Sequence, residues 1–485
     1  MKRSGRPPEL RREYERLLGV VLILVVLGAI WVYSASSSEQ IIQGGGSGTN
    51  FLIRYVMFAA LGFGVLALMS RVGVAVVRKL TVPLLLTSIV LSFAVILPGL
   101  GQEVNGATRW LGAGPIVFQP SELAKTALVA FLALRLSMRR RPMRQLGDIG
   151  PELAAIGILV AIIGGIQSDL GTAVVLAGAG LCVLVVGGMP RKFFVPLGAV
   201  TALGLLVMIV MAPYRMARLT SFLSPWADAS GTGYQVTQGQ LAIGSGGFTG
   251  NGLGSSIQKA DWLPEAHTDF ILAVVGEELG AIGIIMLLVL YGLIAFTGLR
   301  IADQCRDQYQ KLLATGITAI IICQAMLNVW VVLGIFPLTG VPLPFISYGS
   351  TNLVVLLAGV GVLLNIARGV PAFASAPQFD PDSGPRGRGG REAITEDDVW
   401  QAPSERRPAR EAQRRPQRVG RPVPVMHADE HEVVAYRGAA GVRARDARRP
   451  RDASRFAGDA ADVRDRSGWD SGARGARVER RRRAS

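Results

Sequence analysis

Apolar residues run in blocks from residue 17 to residue 368, with polar residues gathered between the blocks. The blocks match the ~20 residues a helix needs to cross ~30 Å of hydrocarbon. Ten spans are predicted, at 17–36, 51–70, 79–98, 121–138, 152–167, 170–189, 193–212, 270–299, 312–334 and 350–368. The expected fold class is therefore an all-α polytopic membrane protein with ten transmembrane helices. The span at 270–299 is longer than the bilayer requires and is predicted to tilt or protrude. The first block extends beyond a cleavable signal, and Val32-Tyr33-Ser34-Ala35-Ser36 follows it without a small-residue cleavage site.

Basic residues orient the spans. Lys2, Arg3, Arg6, Arg11, Arg12 and Arg16 precede the first, and every second loop is basic again. Those loops carry Arg71, Arg78 and Lys79; Arg139, Arg140, Arg141 and Arg144; Arg191 and Lys192; and Arg300, Arg306 and Lys311. The alternate loops hold Arg109 and, within 213–269, Arg215, Arg218 and Lys259. The positive-inside rule then puts both termini in the cytoplasm and a large extracytoplasmic loop, 213–269, between helices seven and eight.

Three regions result: a basic cytoplasmic N-terminus (1–16), a membrane domain (17–369) and a tail (370–485). Composition supports the division. Of 485 residues, 50% are hydrophobic and 18% charged, with a net charge of +16, where soluble chains carry about 25% charged residues. The tail holds about 25 Arg against about 18 acidic residues and no Lys, a composition that cannot bury enough apolar surface to fold. It reads as a disordered Arg-rich segment, with Arg480 to Arg483 as the contact candidate for anionic lipid or an acidic partner. Its scarcity of aromatic residues argues against nucleic acid. Cys182 and Cys323 sit in apolar blocks and Cys305 in a short basic loop, so no disulfide framework is expected.

Four polar segments fall on the predicted outer side: Asn105-Gly106 through Arg109-Trp110 with Gln119-Pro120-Ser121-Glu122 and Lys125; Gln167-Ser168-Asp169; the loop 213–269; and Pro342-Leu343-Pro344 through Ser347. A cavity opening outward is predicted. Several of these residues have two readings. Ser121 and Glu122 can cap the fourth span, and Glu122 with Lys125 can form a local ion pair. Arg109 is an interfacial anchor or a phosphate-gripping guanidinium. Asp169 reads first as a structural cap, and His267 as a hydrogen-bonded structural residue rather than a base or metal ligand. The glycine-dense run from Gly244 to Gly254 suits close approach to a ligand or a plain flexible loop. Of Glu277 and Glu278, one is expected to face the interior. Asp269, at the mouth of a long apolar helix, is where chemistry is expected, because desolvating a carboxylate there is costly.

Together these residues resemble the SEDS family (shape, elongation, division and sporulation). The resemblance covers residues 10–370. It is carried by Asn105-Gly106 with Arg109-Trp110, Gln119 to Lys125, Asp169-Leu170-Gly171-Thr172, Gly252-Leu253-Gly254 with Gln258-Lys259, Leu263 to Phe270, Gly276 to Gly280 and Leu343 to Gly349. Val32 to Ser36, Gln258-Lys259 and Pro264-Glu265-Ala266 look more like its FtsW branch than its RodA branch, and the tail resembles those of actinobacterial members. Two positions depart from the family pattern: Ser350 stands at a common glycine and Ser168 at a common proline.

The resemblance implies a peptidoglycan glycosyltransferase that polymerises lipid II on the outer face of the cytoplasmic membrane in cell division. It further implies a class B penicillin-binding protein transpeptidase as partner and a divalent cation, Mg or Mn, as cofactor, with no metal ligands assignable. Asp269 is expected to be the catalytic base. Arg109, Trp110, Gln119, Lys259, Glu265 and His267 are expected to contact substrate, with Glu122, Lys125, Asp169, Glu277 and Ser347 supporting them. A lipid II flippase is the first alternative, though polar residues concentrate at the outer mouths rather than running through the membrane. A non-catalytic scaffold that activates a partner synthase through its helices and tail is the second, and other divisome proteins are expected as further partners through the C-terminal tail.

Overall fold

The computed structural model describes residues 8–42, 48–97, 99–104, 107–113, 116–140, 143–260 and 262–369. The expected tail, Asn105-Gly106 and the first basic residues lie outside them. The described chain is mostly helical: α1 (Pro8–Ile42), α2 (Asn50–Ala94), α3 (Pro120–Ser137), α4 (Gly150–Val160), α5 (Leu170–Val186), α6 (Phe194–Val210), α7 (Pro213–Leu223), α8 (Tyr234–Gly246), α9 (Ile271–Asp303), α10 (Gln308–Val332) and α11 (Ser350–Ala367). Among the described residues, seven helices are long and apolar enough to cross a membrane. The second half of α2 together with α3 and α5 occupies the remaining expected spans.

Local signals account for the helix starts. Pro at the first turn, where a missing N–H is harmless, opens α3, α4 and α7. The Asp169 side chain accepts from the Thr172 N–H to cap α5, and Asp307 caps α10 through Tyr309. In lipid, helices gain little from the hydrophobic effect, so close packing of small residues decides their arrangement. Gly62 of α2 meets Leu357 of α11, and Gly316 of α10 meets Val129 of α3, where a Cβ would fall 2.5 and 2.2 Å from the neighbour. α10 sits centrally, packed on α3, α5, α9 and α11. No residue of α6 is fully buried, as befits an apolar helix at the periphery that packs along one side only, where Leu197 meets the core and Met208 approaches Gly164.

α2 covers the predicted pair of spans at 51–70 and 79–98. It is one unbroken helical stretch of 45 residues, which if straight would extend ~67 Å. Yet Tyr55 donates to the Phe345 carbonyl (2.5 Å) near the head of α11, while Asn365 at the tail of α11 donates to the Ser70 carbonyl (2.9 Å). The Ser92 carbonyl then accepts from Gln167 (2.9 Å), beside the head of α5. The stretch must double back near Arg71–Lys79, and its halves form two opposed passes.

Residues 101–118, not anticipated as strands, form an antiparallel sheet of β1 (Gly101–Val104), β2 (Ala107–Ala113) and β3 (Ile116–Phe118) in the order β1-β2-β3. Gln102 faces Trp110, and Leu111 faces Phe118. Three such short strands carry too little periodicity to be read from sequence.

The long span at 270–299 is interrupted. Gly280, at φ 67° and ψ −160°, divides α9 into segments 271–279 and 281–303. The loop after α8 wedges into the gap. Asn251 and Gly252 N–H groups donate to the Glu277 and Glu278 carbonyls (3.0 and 2.9 Å), and the Ala281 N–H donates to Gly247 (3.0 Å). Backbone groups freed by the break are thus satisfied by protein, the condition for irregular structure at membrane depth.

Gly280→Ala is expected to lower the melting temperature of the purified protein by several degrees. Its backbone conformation is essentially glycine-only, and its Cβ would lie 2.5 Å from Gly250 N and Phe248 O. Gly292→Ala, on the same helix with nothing within 4 Å of its Cβ, is expected to leave the melting temperature unchanged or raise it; equal effects at both positions would contradict the account of the break.

Candidate active site

The segment between α8 and α9 ends in Pro264 to Phe270, and its polar side chains face an open cavity of about 1290 Å³. Glu265, His267, Thr268 and Asp269 form one wall. Arg109, Trp110 and Val117 come from the sheet, Gln119 and Glu122 from the head of α3, Tyr214 and Arg218 from α7, and Gly340, Pro342 and Tyr348 to Asn352 from the stretch leading into and opening α11. Five elements distant in sequence thus meet at one mouth. Of the predicted contacts, Arg109, Trp110, Gln119, Glu265 and His267 all line it.

Asp269 is held at this wall through its backbone. The Asn328 side-chain amide of α10 donates to the carbonyls of Asp269 and Val341, each at 2.8 Å. Gly340, at φ 72°, faces the carboxylate so closely that a Cβ there would lie 3.2 Å from Oδ2. Burial, with the Glu265 carboxylate second, pushes the Asp269 pKa up to about 7; Arg218 and Arg109 act in the opposite direction. Burial also lowers the pKa of Arg218 from its ordinary value, while Tyr214 beside it raises it.

Arg109 donates to the carbonyls of Gln167 (3.3 Å) and Ser168 (2.5 Å). Arg215 of α7 donates to the Ser168 hydroxyl (3.0 Å) and the Gly165 carbonyl (3.1 Å). Ser168 has φ 58°, which the fixed φ of proline cannot reach. The departure from the family's proline is therefore matched by a different backbone here. Ser350, at the family's glycine, is simply the first residue of α11.

At the cavity floor, Glu122 pairs with Lys125 (3.0 Å), and Lys125 also donates to Gln324 (2.8 Å). Gln324 in turn donates to Asn352 (3.0 Å) and to the Pro342 carbonyl (2.9 Å). The expected local ion pair is present, within a longer chain that joins α3, α10 and α11. Asp169 is the structural cap of α5 and also accepts from Gln119 (3.1 Å). The His267 ring packs at a tilt against Phe51 (4.4 Å) and Tyr348 (5.9 Å), which also meet each other edge-on (5.1 Å), while the Tyr348 N–H donates to the His267 carbonyl. Ser347 accepts from the Leu343 N–H at 2.8 Å, closing the turn in the Pro342-Leu343-Pro344 stretch.

Lys259 is the exception among the predicted substrate contacts. It is buried away from the cavity, with its ammonium at 2.8 Å from Glu278, 2.9 Å from the Ser34 hydroxyl and 2.8 Å from the Gly254 carbonyl. Its three donors are all used, so it clamps α1, the loop and the broken helix together. Glu277 does comparable work for the loop, accepting from the Ser256 hydroxyl and the N–H groups of Ile257 and Gln258. Both glutamates are interior. The glycine-dense loop is therefore ordered, with α7 and α8 inside the expected loop region.

Sequence reasoning missed Arg218, Tyr214, Thr351 and Asn352. Arg218 and Tyr214 were legible in part: Pro213 at a helix start followed by polar residues at helical spacing marks an amphipathic helix. Thr351 and Asn352 carry no such signal, since apolar helices commonly hold an isolated threonine or asparagine.

Fold and site define a polytopic membrane protein with a charged cavity at the outer mouths of its helices. The sequence matches the family of cell cycle proteins FtsW, RodA and SpoVE over residues 15–370, and the chain belongs to that family. It is 37% identical to the probable peptidoglycan glycosyltransferase FtsW of Geobacter sp. (strain M18), covering 72% of this chain and 95% of that one. It is 38% identical to the stage V sporulation protein E of Bacillus subtilis, over 73% and 96% of the respective chains. A chain from a structure described as "Structural coordination of polymerization and crosslinking by a peptidoglycan synthase complex" shares the fold with a TM-score of 0.60 and 30% identity, over 73% and 96%. The crystal structure of the Thermus thermophilus rod shape determining protein RodA does so with 0.54 and 28%, over 73% and 95%.

Glu278→Gln is expected to lower the melting temperature sharply, because it leaves the Lys259 ammonium buried without its counter-charge, a loss of about 3–5 kcal/mol. The double variant Lys259→Met with Glu278→Leu is expected to recover most of it. A double variant as unstable as Glu278→Gln would show that the clamp does more than neutralise charge.

Proposed function

We propose that this chain, a multi-pass protein of the bacterial cytoplasmic membrane, is a peptidoglycan glycosyltransferase that joins lipid II units into glycan strands on the outer face. One observation carries the mechanism: a carboxylate with its pKa near neutrality, Asp269, stands in a solvent-open cavity that also presents two guanidinium groups.

Glycosyl transfer from a pyrophosphate-linked donor needs two things of the protein. A base must take the proton of the attacking sugar hydroxyl, and positive charge must meet the developing charge on the leaving pyrophosphate. Asp269 supplies the first: a base poised near the working pH combines a useful deprotonated fraction with proton affinity. Arg218 and Arg109 supply the second, since planar guanidinium forks suit phosphate oxygens. Trp110, Gln119 and Glu265 offer sugar contacts around them. Beneath the floor, α3 and α10 pack through Val129 and Gly316 and the buried Leu128 and Leu132 continue the apolar core, which favours catalysis at the mouth over passage of a headgroup.

Among the described residues no group of three or more His, Cys, Asp or Glu side chains converges to hold a metal ion. Asp269 and Glu265 fit a divalent cation, Mg or Mn, only as a pair of carboxylates completed by substrate phosphate oxygens. Such an ion, when bound, would neutralise charge on the pyrophosphate. A class B penicillin-binding protein, which cross-links the strands, is the partner we assign, with division as the process served. The similarity to a chain of a peptidoglycan synthase complex supports the transpeptidase partner.

Polymerisation of labelled lipid II, assayed with a cognate transpeptidase and divalent cation, is expected to fall by 10²-fold or more in Asp269→Asn while the melting temperature holds; retained activity would remove Asp269 as the base. The wild-type rate is expected to rise with pH through about 7, because the base acts deprotonated. Arg218 lowers the Asp269 pKa, so Arg218→Gln is expected to move this limb to higher pH as well as slow turnover. A limb that stays in place would separate Arg218 from Asp269.

A further inference from the structure

The inner ends of α1 and α9 frame a second hollow, of about 1040 Å³, lined by Arg16, Val20, Leu293, Phe296, Thr297 and Arg300. Arg300 lies ~30 Å along the helix from the break at Gly280, so this hollow is remote from the Asp269 cavity and the proposed chemistry does not use it. Its walls are apolar, and its rim carries two guanidinium groups. Arg300 rests over the Phe296 ring at 4.9 Å, which lays its stem along the wall. Among the described residues Arg300 forms no ion pair. Arg16 is tied to the buried Glu13 through Nη1 at 3.0 Å; its Nε and Nη2 remain available. Beside them on α1, a Cβ added at Gly19 would meet nothing within 4 Å.

The positive-inside rule explains single arginines at inner helix ends, but not a roomy apolar hollow between two of them. Lipid recognition explains both, since basic pockets between helices on the cytoplasmic side suit anionic headgroups with apolar chains attached. We propose that this hollow binds an anionic phospholipid of the inner leaflet. Its phosphate sits between Arg16 and Arg300, where guanidinium forks can engage phosphate oxygens. An acyl chain runs against Val20, Leu293 and Phe296. Arg16 neutralises Glu13, so the net charge facing the phosphate comes from Arg300, with the exposed Arg12 nearby on α1. The assignment is independent of the glycosyltransferase reading.

Native mass spectrometry of the full chain, reconstituted from detergent with equal phosphatidylglycerol and phosphatidylcholine, tests it. The wild type is expected to retain phosphatidylglycerol preferentially. Arg300→Gln is expected to reduce that retention about five-fold, the equivalent of ~1 kcal/mol for one basic residue at an anionic surface. Arg191→Gln, at another inner loop, is expected to leave it unchanged. Leu293→Trp, which fills the hollow without touching charge, is expected to reduce retention of both lipids there, and the melting temperatures of all variants verify folding. Equal losses in Arg300→Gln and Arg191→Gln would overturn the proposal in favour of general surface charge. Unchanged retention in both Arg300→Gln and Leu293→Trp would overturn it in favour of another occupant, such as a partner's helix.

Discussion

A charge removed from water must meet an opposite charge or a set of dipoles, and this requirement organises the outer half of the molecule. Lys259 meets Glu278, Ser34 and a carbonyl. Lys125 meets Glu122 and Gln324. Arg109 and Arg215 settle on the backbone carbonyls around Ser168. Each arrangement also ties together elements distant in sequence, because the partner is supplied from another helix or loop. The cost of an unmatched ion in a low-dielectric interior makes these ties hard to break singly.

Asp269 stands apart from that pattern. Among the described residues its carboxylate forms no ion pair or hydrogen bond, and its counter-charges, Arg218 and Arg109, act without an ion pair and offset only part of the burial effect. The framework around it is tightly specified: Asn328 fixes its carbonyl and Gly340 leaves room at its oxygen. A group held firmly in place yet left electrostatically unsatisfied is poised to change protonation state. The neighbouring polar residues, by contrast, are largely committed to one another, which separates the scaffold of the cavity from its reactive element.

The broken helix links these two features. Gly280 lets α9 stop and restart, so that 271–279 lies against the loop while 281–303 continues along α10, where Gly298 meets Thr318. Without the break, the Glu277 and Glu278 carbonyls would accept from Ala281 and Ile282 within a continuous helix rather than from the loop amides of Asn251 and Gly252. The loop between α8 and α9 is ordered because the helix is interrupted, and Asp269 inherits its position from that loop.

Much of this was legible in the chain itself. Apolar blocks of membrane-spanning length, alternating basic loops and the polar stretch before residue 270 follow from local chemistry, since hydrocarbon thickness and charge solvation act on short segments. So did the candidate residues Arg109, Glu265 and Asp269, charged side chains beside apolar blocks on the side where the other short loops carry few basic residues. Tertiary structure alone decided the rest. Lys259 looked like a free cation because its partner Glu278, nineteen residues on and beyond a break, is brought near only by the fold. Arg218 looked like one more loop arginine until α7 carried it to the cavity. The strand pairing of β1, β2 and β3 depends on neighbouring strands, and no local pattern encodes it, whereas the reversal within α2 falls where the basic residues Arg71, Arg78 and Lys79 separate two apolar blocks. Length, hydropathy and charge are properties of a segment; which buried charge answers which is a property of the assembled molecule.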